Sequence, residues 1–141
     1  MSDLTLFVDE GHDRAQGIRL PAAAGARSRL IVALGGMLSQ GLRPLSDKCV
    51  VNIHGTTAHW NHGYSPCLTR SRCGSSGHWL TWMQRFMSLT EMLSLQGFKR
   101  DWFPEHLPVS ERQMSLLCGN AIPVPLLGRV MQHLLVAANL A

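Results

Sequence analysis

The side chains best suited to chemistry in this sequence are the histidines and cysteines of its middle third. A cysteine thiolate is a nucleophile, and clusters of cysteine and histidine bind zinc. The spacing argues against zinc, because Cys67 and Cys73 are too far apart for a zinc knuckle and no Cys-x-x-Cys occurs. We therefore expect no metal site, and expect these residues to be DNA-facing or simply polar: His54, His59, His62, Cys67, Cys73 and His78.

Arginine residues offer a second kind of chemistry, the binding of phosphate. The chain has eleven arginines and two lysines, a net charge of +4 and a pI near 9.2. A strand over Pro66–Arg72 would direct Arg70 and Arg72 to the same side, where with Thr69 they would bind phosphates or a base edge of DNA. The alternative for Arg70 and Arg72 is that they are two solvated arginines on an exposed face. The alternative for the excess of arginine over lysine is a GC-rich genome.

The elements that would position these residues are short in the first half of the chain. Residues 1–29 carry little hydrophobic pattern and are expected to form a lead-in. A short helix is predicted between Leu30 and Gln40, and Cys49–Ile53 is strand-like. A loop should begin at Gly55, with further strands over Pro66–Arg72 and His78–Trp82.

The second half of the chain has clearer helix signals. Ser88 and Glu91 form a capping-box pattern before a helix that Gly97 should end, and Leu89, Met92, Leu93 and Gln96 share its apolar face. Ser110 and Gln113 repeat the pattern before a helix reaching about Leu117. Pro123 and Pro125 fit the first turn of a third helix. That helix has one apolar stripe, formed by Leu126, Leu127, Val130, Met131, Leu134 and Leu135.

Two segments of this half carry a family resemblance. Residues 85–98, which end in Leu95-Gln96-Gly97-Phe98, resemble the ninth conserved block of DNA cytosine-5 methyltransferases. Gln113 with Cys118-Gly119-Asn120-Ala121-Ile122-Pro123 resembles the tenth block, which is centred on Gly-Asn-Ala-Val-Pro. Leu68-Thr69-Arg70-Ser71 resembles the end of the family's target-recognition region. The resemblance covers residues from about 45 to 141.

The resemblance implies an α+β chain with a small recognition subdomain of short strands and loops over 30–84. The C-terminal helices of an incomplete S-adenosylmethionine-dependent methyltransferase fold would follow over 85–141. In the family the target cytosine is swung out of the duplex before methylation at carbon 5. Carried over by position, Gly119, Asn120 and Ala121 would lie beside the cofactor, and Thr69, Arg70, Arg72 and Arg85 against DNA. Arg85 has an alternative role, bracing the following helix through Glu91.

The family's catalytic blocks are absent from these 141 residues. There is no Gly-x-Gly of the cofactor turn, no Glu-Asn-Val and no Pro-Cys-Gln. Pro66-Cys67-Leu68 is the nearest string to the last, but Cys67 lies inside the recognition-like segment, whereas the family's nucleophile lies far upstream. We therefore expect no catalytic residue and no methyl transfer by the chain alone. A stand-alone DNA-binding module and the recognition half of a split methyltransferase are the alternatives.

Partners and location follow from the same features. DNA is the expected partner, with a separately encoded catalytic domain as a second. No signal-peptide pattern is present, and Arg129, Gln132 and His133 interrupt the most apolar region. We expect no membrane partner, reduced cysteines and an intracellular location, the nucleus in a eukaryote or the cytoplasm and nucleoid in a bacterium.

Trp79 and Trp82 should pack the small domain, and Trp102-Phe103-Pro104 should form a hydrophobic plug.

Overall fold

The computed structural model describes residues 19–72, 77–104, 106 and 108–140, without the side chain of Arg72. It is a mixed α and β structure with a four-stranded antiparallel sheet and C-terminal helices. The strands are β1 (Cys49–Asn52), β2 (His59–His62), β3 (His78–Leu80) and β4 (Arg85–Phe86), in the order β2-β1-β3-β4. The helices are α1 (Ala24–Ser39), α2 (Leu89–Leu95), α3 (Glu111–Asn120) and α4 (Val124–Ala137).

Strand β1 is the centre of the molecule because both of its faces are covered. Its four residues are buried, and Val51 lies opposite Trp60 of β2 and Trp79 of β3. Alternate side chains of a strand point to opposite faces. Cys49 and Val51 therefore join the core that contains α1, whereas Val50 joins the core that contains α2 and α3. The sheet thus separates two hydrophobic cores.

Helix α1 begins at Ala24, six residues before the expected start, and crosses the boundary expected at residue 29. Alanine has the highest intrinsic helix propensity, so the alanine-rich stretch continues the helix although it carries little pattern. The buried side of α1 consists of Ala26, Leu30, Ala33 and Met37. Residues 1–18 of the expected lead-in lie outside the described residues.

The strands differ most from expectation. The residues after Gly55 include β2, which pairs along its whole length with β1. The strand predicted over Pro66–Arg72 was wrong: the segment has no strand pairing and ends in a 3-10 helix, Arg70–Arg72. Residues separated by two in a 3-10 helix do not share a face, so the alternation argument for Arg70 and Arg72 fails. The strand predicted over His78–Trp82 ends at Leu80, where Thr81 turns back to bond the Cys49 carbonyl.

The predicted helix caps are confirmed. The Ser88 hydroxyl accepts a hydrogen bond from the Glu91 amide, and the Glu91 carboxylate accepts one from the Ser88 amide. Ser110 and Gln113 form the same reciprocal pair, in which the Gln113 side-chain oxygen accepts from the Ser110 amide. Gly97 follows α2 with φ of +84°, a conformation that glycine adopts without strain. Helix α3 continues to Asn120, beyond the expected end at Leu117.

Helix α4 leaves the body of the molecule after its first turn. The Val124 amide donates to the Gln96 carbonyl at 2.8 Å, but none of the residues of α4 is buried. The side chains of the apolar stripe are between 37% and 58% exposed. Among the described residues no single helix is long and apolar enough to cross a bilayer, although α3 and α4, bent by 40°, meet that test together by length and composition.

Tryptophan residues occupy two environments. Trp79 is buried against Phe86, and Trp82 is half-buried beside the second core, as expected. Trp102 is 53% exposed in a 3-10 helix, Arg100–Trp102. The expected plug was therefore wrong for the described residues, because the Trp102 ring contacts Phe98 by its edge and otherwise faces solvent.

Candidate functional site

Gly119 marks the closest approach between the two predicted site segments. A β-carbon built on Gly119 would lie 2.6 Å from the Arg70 nitrogen and 2.7 Å from the Thr69 carbonyl oxygen. No side chain fits at such distances, so helix α3 can pack on the 69–70 backbone only with glycine at this position. The contact places a residue predicted to lie beside the cofactor directly against residues predicted to bind DNA.

Gln96 joins the ninth-block segment to the tenth-block segment. The buried side-chain amide of Gln96 donates to the Cys118 backbone carbonyl at 3.0 Å. The backbone carbonyl of Gln96 accepts a hydrogen bond from the Val124 amide. Gly97 completes the join, because a β-carbon there would lie 2.6 Å from Cδ of Pro125. We call the meeting place of Thr69–Arg70, Gln96–Gly97, Cys118–Gly119 and Val124–Pro125 the motif junction.

An open pocket of about 360 Å³ lies beside the motif junction. Tyr64, Cys67, Gln96 and Ala121 are among the residues that line it. Cys67 is exposed and is a free thiol. The pocket has hydroxyl, amide and thiol groups but no charged side chain, so it can hydrogen-bond a ligand without supplying an ion pair.

Arg85 and Glu91 form an ion pair between β4 and α2. The guanidinium nitrogens lie 2.9 and 2.7 Å from the two carboxylate oxygens, a bidentate pair in which Glu91 is 4% exposed and Arg85 23%. Burial alone would raise the pKa of Glu91, but hydrogen bonds from Arg85 and Ser88, with the charge of Arg85, lower it below its ordinary value. Arg85 thus braces α2, the second of the two roles weighed for it.

The other predicted DNA-binding residues are only partly assembled. Arg70 is exposed, and Thr69 is half-buried with its hydroxyl 3.5 Å from that of Ser71. The side chain of Arg72 lies outside the described residues. Arg85 is turned toward Glu91. Arg70 therefore remains the described arginine of this set that faces solvent near the motif junction, and DNA contact by these residues stays a prediction.

The cysteine and histidine residues of the middle third do not converge where they are described. His54, His59 and His62 are exposed, His78 is buried, and Cys73 lies outside the described residues. No group of three or more potential metal ligands occurs in the described part of the chain. Burial, and secondarily the charge of Asp47, raises the pKa of the Cys49 thiol, which keeps it protonated and poorly nucleophilic.

S-adenosylmethionine, the cofactor that the resemblance implies, does not fit the residues present here. It carries an ammonium group, a carboxylate and a ribose, yet no charged side chain lines the pocket that contains Ala121. The side of Gly119 without a β-carbon is closed by the 69–70 backbone, and Asn120 is exposed at the end of α3. Gly119, Asn120 and Ala121 could take part in a cofactor site only if residues outside this chain segment lined the rest of that site.

Sequence reasoning missed the structural importance of Gln96, which it placed only on the apolar face of α2. The signal was its position in Leu-Gln-Gly-Phe, where a polar residue on a buried face has to find a partner. The sequence analysis also placed Gly119 beside the cofactor. In the structure this glycine allows close packing against the 69–70 backbone.

Comparisons with known proteins give no match. No protein-family model, no curated protein and no solved structure matches the chain. The resemblance to DNA cytosine-5 methyltransferases therefore stays a prediction from the residues of the two segments.

Proposed function

We propose that the chain is the C-terminal segment of a DNA cytosine-5 methyltransferase. It would supply part of the target-recognition region and the last helices of an S-adenosylmethionine-dependent methyltransferase fold. A catalytic region that these 141 residues do not include would supply the nucleophile, the cofactor turn and the walls of the cofactor site. Alone, the chain transfers no methyl group.

The motif junction is the observation that carries this proposal. Three motifs that are separated along the sequence meet there, and glycines occupy the two contacts where no side chain fits. The Gln96 side chain bonds one motif to another. Three of the residues that carry the resemblance, Gln96, Gly97 and Gly119, thus take part in the contacts that hold these segments together, which supports reading them as parts of one folded unit.

The exposed apolar stripe of helix α4 is evidence for a partner surface. Its six stripe residues are exposed, and a stand-alone module would bury such a stripe within itself. In the proposed assembly α4 lies against the catalytic domain. This is the feature that favours a partnered segment over an independent DNA-binding module, which was the alternative from sequence.

The charge of the chain suits DNA as the substrate of the assembly. Arginine provides most of the positive charge, and Arg70 is exposed beside the motif junction. Arginine binds phosphates and guanine edges through its planar group of donors. In the proposed assembly this chain holds the duplex while the partner receives the extruded cytosine.

A complementation assay tests the proposal. The chain is mixed with a cytosine-5 methyltransferase catalytic domain from the same genome that lacks its own recognition region, and transfer of labelled methyl from S-adenosylmethionine to duplex DNA is measured. Methylation should require both polypeptides. A Leu127→Gln/Leu134→Gln variant should weaken complementation, whereas Ile31→Gln, at an exposed apolar position on α1, should not.

Two outcomes would count against it. Methyl transfer by the chain without a partner would contradict the absence of catalytic residues. Tight, salt-sensitive duplex binding by the chain alone, combined with no effect on any catalytic domain, would favour the independent DNA-binding module.

A further inference from the structure

A second pocket lies along α2 and shares no residue with the motif junction. Its volume is about 380 Å³, within the range of roughly 300–1,000 Å³ that small-molecule sites occupy. Leu89 and Leu93 of α2 give it apolar walls, and the Thr90 and Ser94 hydroxyls add polar groups. Its remaining wall is the segment from Phe98 to Pro104.

Aromatic rings dominate that wall. Phe98 and Phe103 both line the pocket, with ring centroids 5.8 Å apart and planes inclined by 59°. Trp102 meets Phe98 edge-on at 6.3 Å, so its indole lies next to the pocket while half of it faces solvent. Both phenylalanines are only half-buried, which leaves ring surface free for a planar ligand.

Two cations stand at the mouth of the pocket. Lys99 and Arg100 both line it and both are exposed. Within the described part of the chain, the ion pairs involve neither residue. Asp101 follows them but does not line the pocket, and Glu105 lies outside the described residues. The rings and the cations thus offer an aromatic surface with positive charge beside it.

We propose that this pocket binds one nucleotide of a single-stranded nucleic acid. The base packs against Phe98 and Phe103, Lys99 and Arg100 hold the flanking phosphates, and the Thr90 and Ser94 hydroxyls lie within the pocket to bond the polar edge of the base. Aromatic faces combined with cations are how single strands are bound without sequence preference, since every base has a planar face. A duplex, whose bases are stacked and paired, cannot use the rings.

The pocket does not depend on the proposed function. It needs neither a catalytic partner nor a cofactor, and it lies among residues other than those of the motif junction. Binding can therefore be measured on the chain alone, and its failure would leave the complementation result unaffected.

The test is titration of the chain with a ten-residue oligothymidylate, with binding measured by tryptophan fluorescence, to which the exposed Trp102 contributes, and by anisotropy of the labelled strand. A self-complementary duplex of equal length is the comparison ligand. Quenching should occur with the single strand, and any binding of the duplex should not depend on Phe103. Lys99→Gln/Arg100→Gln should weaken single-strand binding about tenfold and lower its salt slope by about 1.4, the value for two phosphates on a single strand.

Phe103→Leu tests the rings, because leucine keeps the apolar volume and removes the aromatic face. It should weaken binding about five- to tenfold at an unchanged melting temperature. Arg129→Gln, at an exposed arginine on α4, is the matched control for charge and should change binding less than twofold. Equal losses in Arg129→Gln and Lys99→Gln/Arg100→Gln would overturn the proposal, as would an unchanged affinity for the single strand in Phe103→Leu.

Discussion

At the scale of single residues, Glu91 connects Arg85 of β4 to the N-terminal cap of α2. Its carboxylate accepts hydrogen bonds from Arg85 and from the Ser88 amide while almost fully buried. The capping-box pattern predicted the bond to Ser88 because that signal spans three residues. The sequence left the role of Arg85 open between DNA and Glu91, since the choice depends on where β4 places the guanidinium relative to α2.

Glu91→Gln should lower the free energy of unfolding at pH 7 by about 2 kcal/mol, the scale of a hydrogen bond to a charged group. The folded-state pKa of Glu91 lies below its unfolded value, near 4.5. The stability from its ionised form is therefore present above that value and is lost as the pH falls through the folded pKa. The difference between wild type and variant should shrink below pH 4.5 in urea denaturation.

A matched control for this experiment is Glu111→Gln, which changes an exposed carboxylate in the first turn of α3. It should alter stability by less than about 0.5 kcal/mol at pH 7. A wild-type minus Glu91→Gln difference that stayed constant from pH 7 to pH 3 would contradict the assigned role of the carboxylate.

Gly119→Ala should destabilise the chain by about 1–3 kcal/mol, the cost of forcing extra volume into a packed site. The added carbon would meet the 69–70 backbone, which cannot move aside as a side chain would. Gly35→Ala is the control, because it is also a helical glycine but has nothing within 4 Å of the added carbon. That variant should gain up to about 1 kcal/mol from helix propensity. Equal effects of the two changes in thermal unfolding would exclude the close contact.

At the scale of elements, the helices and the strands β1 and β3 were predictable from the sequence, whereas β2 was not. The caps of α2 and α3 and the glycine after α2 are read from a few neighbouring residues. Strand β2 has the sequence His-Trp-Asn-His, with no apolar alternation, and exists because β1 offers it a pairing edge. The 66–72 segment packs through its 69–70 backbone against Gly119, which is far away in the sequence. Its local residue pattern therefore predicted a strand that the structure does not contain.

Ser110→Ala should show how much of α3 depends on its cap. Ser110 accepts from the Gln113 amide, and losing such a cap costs about 1 kcal/mol. Because α3 presses on the 69–70 backbone, the loss should appear in global urea unfolding rather than as local fraying. Ser39→Ala, at the last residue of α1, removes a bond to the Gly36 carbonyl and no cap. A loss in Ser39→Ala as large as in Ser110→Ala would argue against the cap.

At the scale of the whole molecule, the two sheet cores and the exposed α4 have different roles. The sequence predicted the apolar stripe of α4 correctly, but whether the chain would bury it could not be known, because burial depends on the direction in which the helix leaves α3. That direction is set by Pro123 and Pro125 and by the bond from the Val124 amide to Gln96.

Leu127→Gln/Leu134→Gln should leave the melting temperature of the chain almost unchanged, since exposed substitutions usually stay within about 0.5 kcal/mol. The same variant should reduce self-association in sedimentation velocity and lower the binding of a hydrophobic dye. Val51→Ala, within both the sheet and the buried core, should instead lower stability by about 1–3 kcal/mol. A large loss of stability in the α4 variant would mean that the stripe packs within the chain.

The exposure of α4 also has a consequence for cooperativity. A helix of this length is only marginally populated by its own hydrogen bonds in water, and beyond its first turn α4 receives little support from the rest of the chain. Its amide protons should therefore exchange orders of magnitude faster than those of β1, as a separate unit below the global unfolding transition. A surface that closes over α4 would order it at the moment of association, so the affinity of that association is reduced by the helix's own folding equilibrium.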